Sequence, residues 1–77
     1  MKEANPVLKQ PAPAAIAKAR AEAGHSQADA AALVGLSGQA RWSEYEAGTV
    51  RMDPVRWTLY LLLAGLHPAL KVIRRAA

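Results

Sequence analysis

The sequence predicts an all-α domain of five helices. Apolar residues recur at helical spacing in short segments, and these segments begin at capping residues or prolines and end at glycines. The chain has 77 residues, which suffices for one small domain with a thin core. We therefore expect dimerisation to add stability.

Residues 1–12 differ in composition from the rest of the chain. They carry Lys2, Lys9 and two prolines among few apolar side chains. This pattern is typical of a flexible basic arm that precedes a folded part. The folded domain is then expected over residues 13–77, including C-terminal dimerisation helices.

The first helix is predicted over residues 14–23, with Pro13 in its first turn and Gly24 after its end. By spacing, Arg20 falls on the inward side of this helix. A charge on a buried side is costly unless an opposite charge meets it. Glu46 is the acid expected to face the core, so we predict a partly buried Arg20–Glu46 salt bridge.

Two short helices joined by a tight turn are predicted between Ser26 and Gly48. Ser26 is expected to cap the first helix, and Gly35 to end it in a left-handed conformation. Ser37 is expected to cap the second helix, which runs from Gln39 to Ala47. The inward positions of the pair are predicted to be Ala30, Ala31, Val34, Trp42 and Tyr45.

A fourth helix is predicted from Pro54 to Ala64, capped by Asp53 and ended by Gly65, and Pro68 is expected to start a short fifth helix. The fourth helix is apolar nearly all the way round, which a monomer of this size cannot cover. We expect the surplus to form a dimer interface, with packing in the monomer core as the alternative. The interface candidates are Leu59, Leu62, Leu63, Leu66, Leu70 and Ile73.

Composition excludes several classes of site. The chain has no cysteine, which rules out disulfides and thiolate metal sites. His25 and His67 lack ligand spacing, so we expect no metal and no cofactor. The longest apolar run, residues 59–66, is far shorter than the ~20 residues of a membrane span. We expect a cytoplasmic, nucleoid-associated protein.

The net charge of +4 and a pI near 10 suit a polyanionic partner. The central helix pair is nevertheless acidic, because it carries Asp29, Glu44 and Glu46 against the single cation Arg41. Attraction to phosphate must therefore come mostly from the flanking segments.

A set of residues distributed through the chain carries a family resemblance. The set consists of Arg20, Gly24, Ser26-Gln27, Ala31, Val34-Gly35-Leu36-Ser37, Trp42, Tyr45-Glu46-Ala47-Gly48 and Met52-Asp53-Pro54 followed by Trp57. With it, the chain resembles the lambda-repressor-like (XRE, Cro-type) helix-turn-helix family of phage and plasmid regulators over about residues 14–65. The resemblance implies a transcriptional regulator that binds operator DNA.

The chain departs from the usual spacing of that family by one extra residue between Gln27 and Gly48. We place the extra residue at Ser37-Gly38, in the turn. This placement leaves the first residue of the third helix open by one position.

In a helix-turn-helix the second helix enters the major groove with its N-terminal part toward the base edges. Arg41 can pair with guanine O6 and N7, and Gln39 with adenine N6 and N7. Glu44 either accepts a hydrogen bond from cytosine N4 or orients Arg41. The expected base contacts are Gln39, Ala40, Arg41, Ser43 and Glu44.

Phosphate contacts are expected at the helix ends and in the loop after the third helix. The resemblance assigns such a contact to Gln27. The complete set of candidates is Gln27, Ser37, Thr49, Arg51 and Arg56. A two-fold dimer predicts an inverted-repeat operator with half-sites roughly 34 Å apart, and family analogy implies repression by promoter occlusion.

Two other interpretations remain open. One is an antitoxin or anti-CRISPR-associated autoregulator that also binds a partner protein. The other is a helical interaction module that does not bind DNA and uses its apolar surface over residues 57–73. An enzyme is not expected, because the sequence shows no nucleophile–base pair, paired carboxylates or glycine-rich phosphate loop.

Overall fold

The structure is a computed structural model that describes residues 10–67. Over this range the predicted all-α class is confirmed, since helices are its only regular secondary structure. The helices are α1 (Pro13–Ala23), α2 (Gln27–Leu33), α3 (Gln39–Ala47) and α4 (Pro54–Ala64). The fifth predicted helix, with Leu70 and Ile73, lies outside the described residues, as do residues 1–9 of the predicted arm.

Side-chain caps start two of the helices as predicted. Ser26 and Asp29 form a capping box at α2: Ser26 Oγ accepts from the Asp29 backbone N–H at 3.0 Å, and Asp29 Oδ2 accepts from the Ser26 N–H at 3.3 Å. Asp53 caps α4 by accepting from the N–H groups of Val55 and Arg56. These caps satisfy backbone donors that have no partner inside the helix.

The prediction that Ser37 caps α3 is wrong. The N-cap of α3 is Gly38, whose backbone is extended and which supplies no side-chain hydrogen bond. Because α3 begins at Gln39, Ser37 stands one residue too early for its hydroxyl to serve the first turn. The position of the first helical residue, left open by the extra residue in the turn, is Gln39.

The turn between α2 and α3 depends on Gly35, which has a φ of +79°. Left-handed backbone of this kind is unfavourable for residues with a Cβ, so the predicted role of this glycine is confirmed. The chain then passes through residues 36–38 and enters α3. The turn brings α2 and α3 into the most extensive contact between any two described helices.

The core lies where α1, α2 and α4 meet α3. Ala30 and Ala31 are fully buried and small, which allows α2 to pack closely on α3. The Trp42 ring lies 4.8 Å from the Tyr60 ring of α4, centroid to centroid. The buried residues are Ile16, Ala19, Ala30, Ala31, Val34, Trp42, Tyr45, Met52 and Tyr60. All five inward positions predicted for α2, the turn and α3 are therefore confirmed.

None of the helices within residues 10–67 combines the length and apolar character needed to cross a bilayer.

Candidate nucleic-acid interface

The two sides of α3 differ sharply in exposure. Trp42 is fully buried and Tyr45 nearly so, which turns one side of the helix into the core. Gln39, Ala40, Arg41 and Glu44 of the same helix are exposed, and Ser43 is half-exposed. All five residues predicted to touch bases therefore lie on α3 with at least part of their surface accessible.

Arg41 and Glu44 form an ion pair one turn apart on this exposed side. Arg41 Nε lies 3.5 Å from Glu44 Oε1, and the two side chains are 53% and 47% exposed. A pair in such contact with water contributes well under about 1 kcal/mol to folding. Its charges therefore remain available to an incoming ligand.

The predicted Arg20–Glu46 salt bridge is present, and Glu46 binds more partners than the sequence indicated. Arg20 donates through Nε to Oε2 at 2.5 Å and through Nη2 to Oε1 at 3.1 Å. Trp42 Nε1 donates to Oε2 at 2.7 Å, and Gln27 Nε2 donates to Oε1 at 3.1 Å. This one carboxylate joins α1, α2 and α3, and thereby fixes the orientation of the exposed side of α3.

Hydrogen bonding holds the pKa of Glu46 below its usual range. The largest cause is the hydrogen bond from Arg20, which outweighs the opposing effect of burial. Trp42 and Gln27 lower the pKa of this carboxyl further by donating to its charged form. Glu46 is thus an ionised structural group.

Gln27, a predicted phosphate contact, is engaged inside the protein. One N–H of its side-chain amide donates to Glu46, and the second N–H of the same group can donate to another acceptor. The Asp29 carboxylate of the capping box stands in the same first turn of α2 and repels phosphate. The beginning of α2 is thus a poorer anion site than the sequence suggested.

The other phosphate candidates lie after α3 or in the turn before it. Thr49 Oγ1 donates to a backbone carbonyl at the end of α3 at 3.4 Å. Arg51 is exposed and donates to Gln10 Oε1 at 3.3 Å, beside an open cavity of about 380 Å³ between the start of α1 and this loop. Arg56 is half-buried and donates to the Tyr45 hydroxyl at 3.4 Å, and Ser37 is exposed in the turn before α3.

His25 and Tyr60 form a contact to which the sequence assigned no role. His25 Nδ1 lies 2.8 Å from the Tyr60 hydroxyl, and Arg20 Nη1 donates to the His25 carbonyl at 3.1 Å. Desolvation is the main cause that raises the pKa of Tyr60. The two residues are 35 positions apart, and no local pattern signals their contact. They link the end of α1 to α4 and so support the core behind α3.

Part of the predicted dimer interface is exposed along α4. Leu59 and Leu63 are about two-fifths exposed, and Val55, which was not predicted, extends the same side at 63%. Leu62 is half-buried. Leu66 packs against the monomer core instead of standing free.

The charges within residues 10–67 cancel. The cations are Lys18, Arg20, Arg41, Arg51 and Arg56. The anions are Glu22, Asp29, Glu44, Glu46 and Asp53. The net charge of the chain is therefore carried by the residues that precede and follow this range. DNA binding by the described part would depend on where its individual cations stand.

No group of three possible metal ligands occurs within the described range. Comparison with known proteins finds no matching family model and no matching curated protein.

Proposed function

We propose that this chain binds double-stranded DNA through the exposed side of α3 and represses transcription. One observation carries the proposal. The core holds Trp42 and Tyr45, whereas Gln39 and Arg41 of the same short helix, which follows a tight turn, are exposed. A helix-turn-helix needs this division, because the second helix must pack on the protein and enter the groove at once.

Base recognition is assigned to the N-terminal half of α3. Arg41 carries a planar guanidinium that can donate two hydrogen bonds to guanine O6 and N7. Gln39, in the first turn, can donate to and accept from adenine in the same way. We assign Ala40 a contact with a thymine methyl and Ser43 a contact at the margin, while Glu44 lies next to Arg41.

Backbone binding is assigned chiefly to the loop after α3 and the start of α4. Arg51 is exposed in the loop that follows α3, with Thr49 before it and Arg56 after it in the sequence. Ser37 and the second N–H of the Gln27 amide complete the set. Contacts of this kind place the protein on the duplex and make binding weaken steeply with salt.

A homodimer is proposed because one short helix reads only a few base pairs. The exposed apolar side of α4, formed by Val55, Leu59 and Leu63, is the surface assigned to the partner copy. Two recognition helices related by a two-fold axis would bind an inverted repeat with half-site centres roughly 34 Å apart. A dimer bound over a promoter would exclude polymerase.

The decisive experiment is selection of bound duplexes from a random pool, followed by affinity measurements at near-physiological salt. We expect an inverted repeat to be enriched, and Arg41→Ala to abolish the preference for it over a scrambled duplex. Lys18→Ala, which removes an exposed cation of α1, serves as the matched control and should retain the preference. Equal binding of selected and scrambled duplexes by the wild-type chain would refute the proposal.

A protein-interaction module is the second candidate. It is favoured by the exposed side chains of Val55, Leu59 and Leu63 and by the balance of charges within residues 10–67. An autoregulator that also binds an operon partner would use both surfaces. Loss of all DNA preference with intact folding would favour the interaction module, whereas retained DNA preference together with a bound second protein would favour the autoregulator.

A further inference from the structure

We infer that Glu44 is a positioning residue for Arg41, and that the pair restricts the DNA half-site to sequences with a guanine opposite Arg41. This inference rests on the proposed function, because it assigns a role within the DNA-binding side of α3. It predicts which base the helix selects and how a carboxylate contributes to that choice.

The geometry of the pair leaves the guanine-binding edge of Arg41 available. Glu44 Oε1 approaches the guanidinium at Nε, at 3.5 Å. Within residues 10–67 neither side chain forms a hydrogen bond or a second ion pair. The two terminal amino groups therefore remain to donate side by side, in the arrangement that matches O6 and N7 of guanine.

The pair also reduces the conformational cost of recognition. An arginine side chain has many rotamers, and ordering it on binding costs entropy. An anion one helical turn away limits those rotamers before DNA arrives. Glu44 thus improves the contact with guanine without touching a base.

The same carboxylate weakens binding to incorrect sequences. A negative charge beside the groove repels phosphate on any duplex. It also offsets the positive charge of Arg41, so that this side chain binds less strongly to the DNA backbone. The correct guanine offsets this penalty, but other bases do not. Specificity is the difference between the affinities for the correct and the incorrect sequence, and a repulsive group increases it by weakening the second.

The test uses the full chain and a duplex obtained by selection from the random pool. Replacement of each base pair of the half-site identifies the pair that Arg41→Ala no longer discriminates. Dissociation constants are then measured on the four variants of that pair for the wild-type chain, Arg41→Ala, Glu44→Gln and the double variant. Glu22→Gln is the matched control, since it removes the same charge from an exposed position on α1.

We expect Glu44→Gln to reduce the preference for guanine at that base pair by about fivefold, part of the discrimination that a bidentate arginine provides. The Glu44→Gln variant should bind scrambled DNA more tightly than the Glu22→Gln variant does. The double variant should discriminate between the four base pairs no less than Arg41→Ala does, because Glu44 acts through Arg41. Circular dichroism should show unchanged helicity for all four variants.

Four results would overturn the inference. Glu44→Gln with wild-type discrimination at the Arg41 base pair would show that the carboxylate positions nothing. Loss of preference at a different base pair would show that Glu44 reads a cytosine itself. If Arg41→Ala keeps every base preference, residues other than Arg41 recognise the DNA. The inference about Glu44 then fails while the proposed DNA binding stands. A wild-type chain that selects no sequence would overturn both.

Discussion

Arg20 and Glu46 form a two-point ion pair across the helix bundle. The Nε and Nη2 atoms of the guanidinium donate to different carboxylate oxygens, at 2.5 and 3.1 Å. The side chains are 24% and 12% exposed, so the pair is largely withdrawn from water. This geometry ties the end of α1 to the end of α3 and makes the orientation of α3 dependent on one carboxylate.

Arg20→Ala is expected to lower the free energy of unfolding by about 3 kcal/mol, since it leaves a largely buried carboxylate without its counter-ion. Urea unfolding followed by circular dichroism measures the loss. Lys18→Ala, on the exposed side of the same helix, should change stability by less than about 0.5 kcal/mol. Equal stability of the two variants would show that the ion pair does not hold the bundle together.

Stability should fall in acid through protonation of Glu46. Its folded-state pKa lies below the ordinary value of 4.5, so its contribution is present above that pH and is lost as the pH falls through the folded pKa. The free-energy difference between the wild-type chain and Glu46→Gln should therefore shrink from about pH 7 to about pH 3. The other acidic residues are common to both chains, so their contributions cancel in this free-energy difference. A difference that stays constant with pH would contradict the assignment.

Gly48→Ala should destabilise more than Gly35→Ala. Both glycines have left-handed backbone, which costs an alanine about 1–2 kcal/mol. At Gly48 the added Cβ would also lie 3.3 Å from Pro13 Cγ, whereas at Gly35 it meets nothing within 4 Å. We expect a further loss of about 1 kcal/mol at Gly48 from this crowding, measured by thermal unfolding. Equal losses would mean that the Pro13 ring moves aside freely.

Leu63→Glu should convert the proposed dimer into monomers. Leu63 is 42% exposed on α4, so a charge there can be solvated in the monomer but not in an apolar interface. Sedimentation at several concentrations measures the association. Leu33→Glu, on α2 at similar exposure, is the control and should leave the dimer intact. A dimer that survives Leu63→Glu, or a wild-type chain that stays monomeric, would refute this interface.

The helices of the described range could be predicted from the sequence, because local chemistry sets their ends. Caps at Ser26 and Asp53 and left-handed glycines after the helices act within a few residues of their own positions. Helical spacing likewise determined the burial of Trp42. The inward position of Arg20 predicted its partner Glu46, because a buried charge requires a counter-charge.

Apart from the Arg20–Glu46 pair, contacts between groups far apart in the sequence could not be predicted from its pattern. The binding of Gln27 to Glu46 and the contact between His25 and Tyr60 depend on how the helices pack. Met52 is fully buried although it lies in the loop between α3 and α4. Spacing along a helix predicts which side faces inward, but contacts between residues far apart in sequence depend on the packing of whole helices.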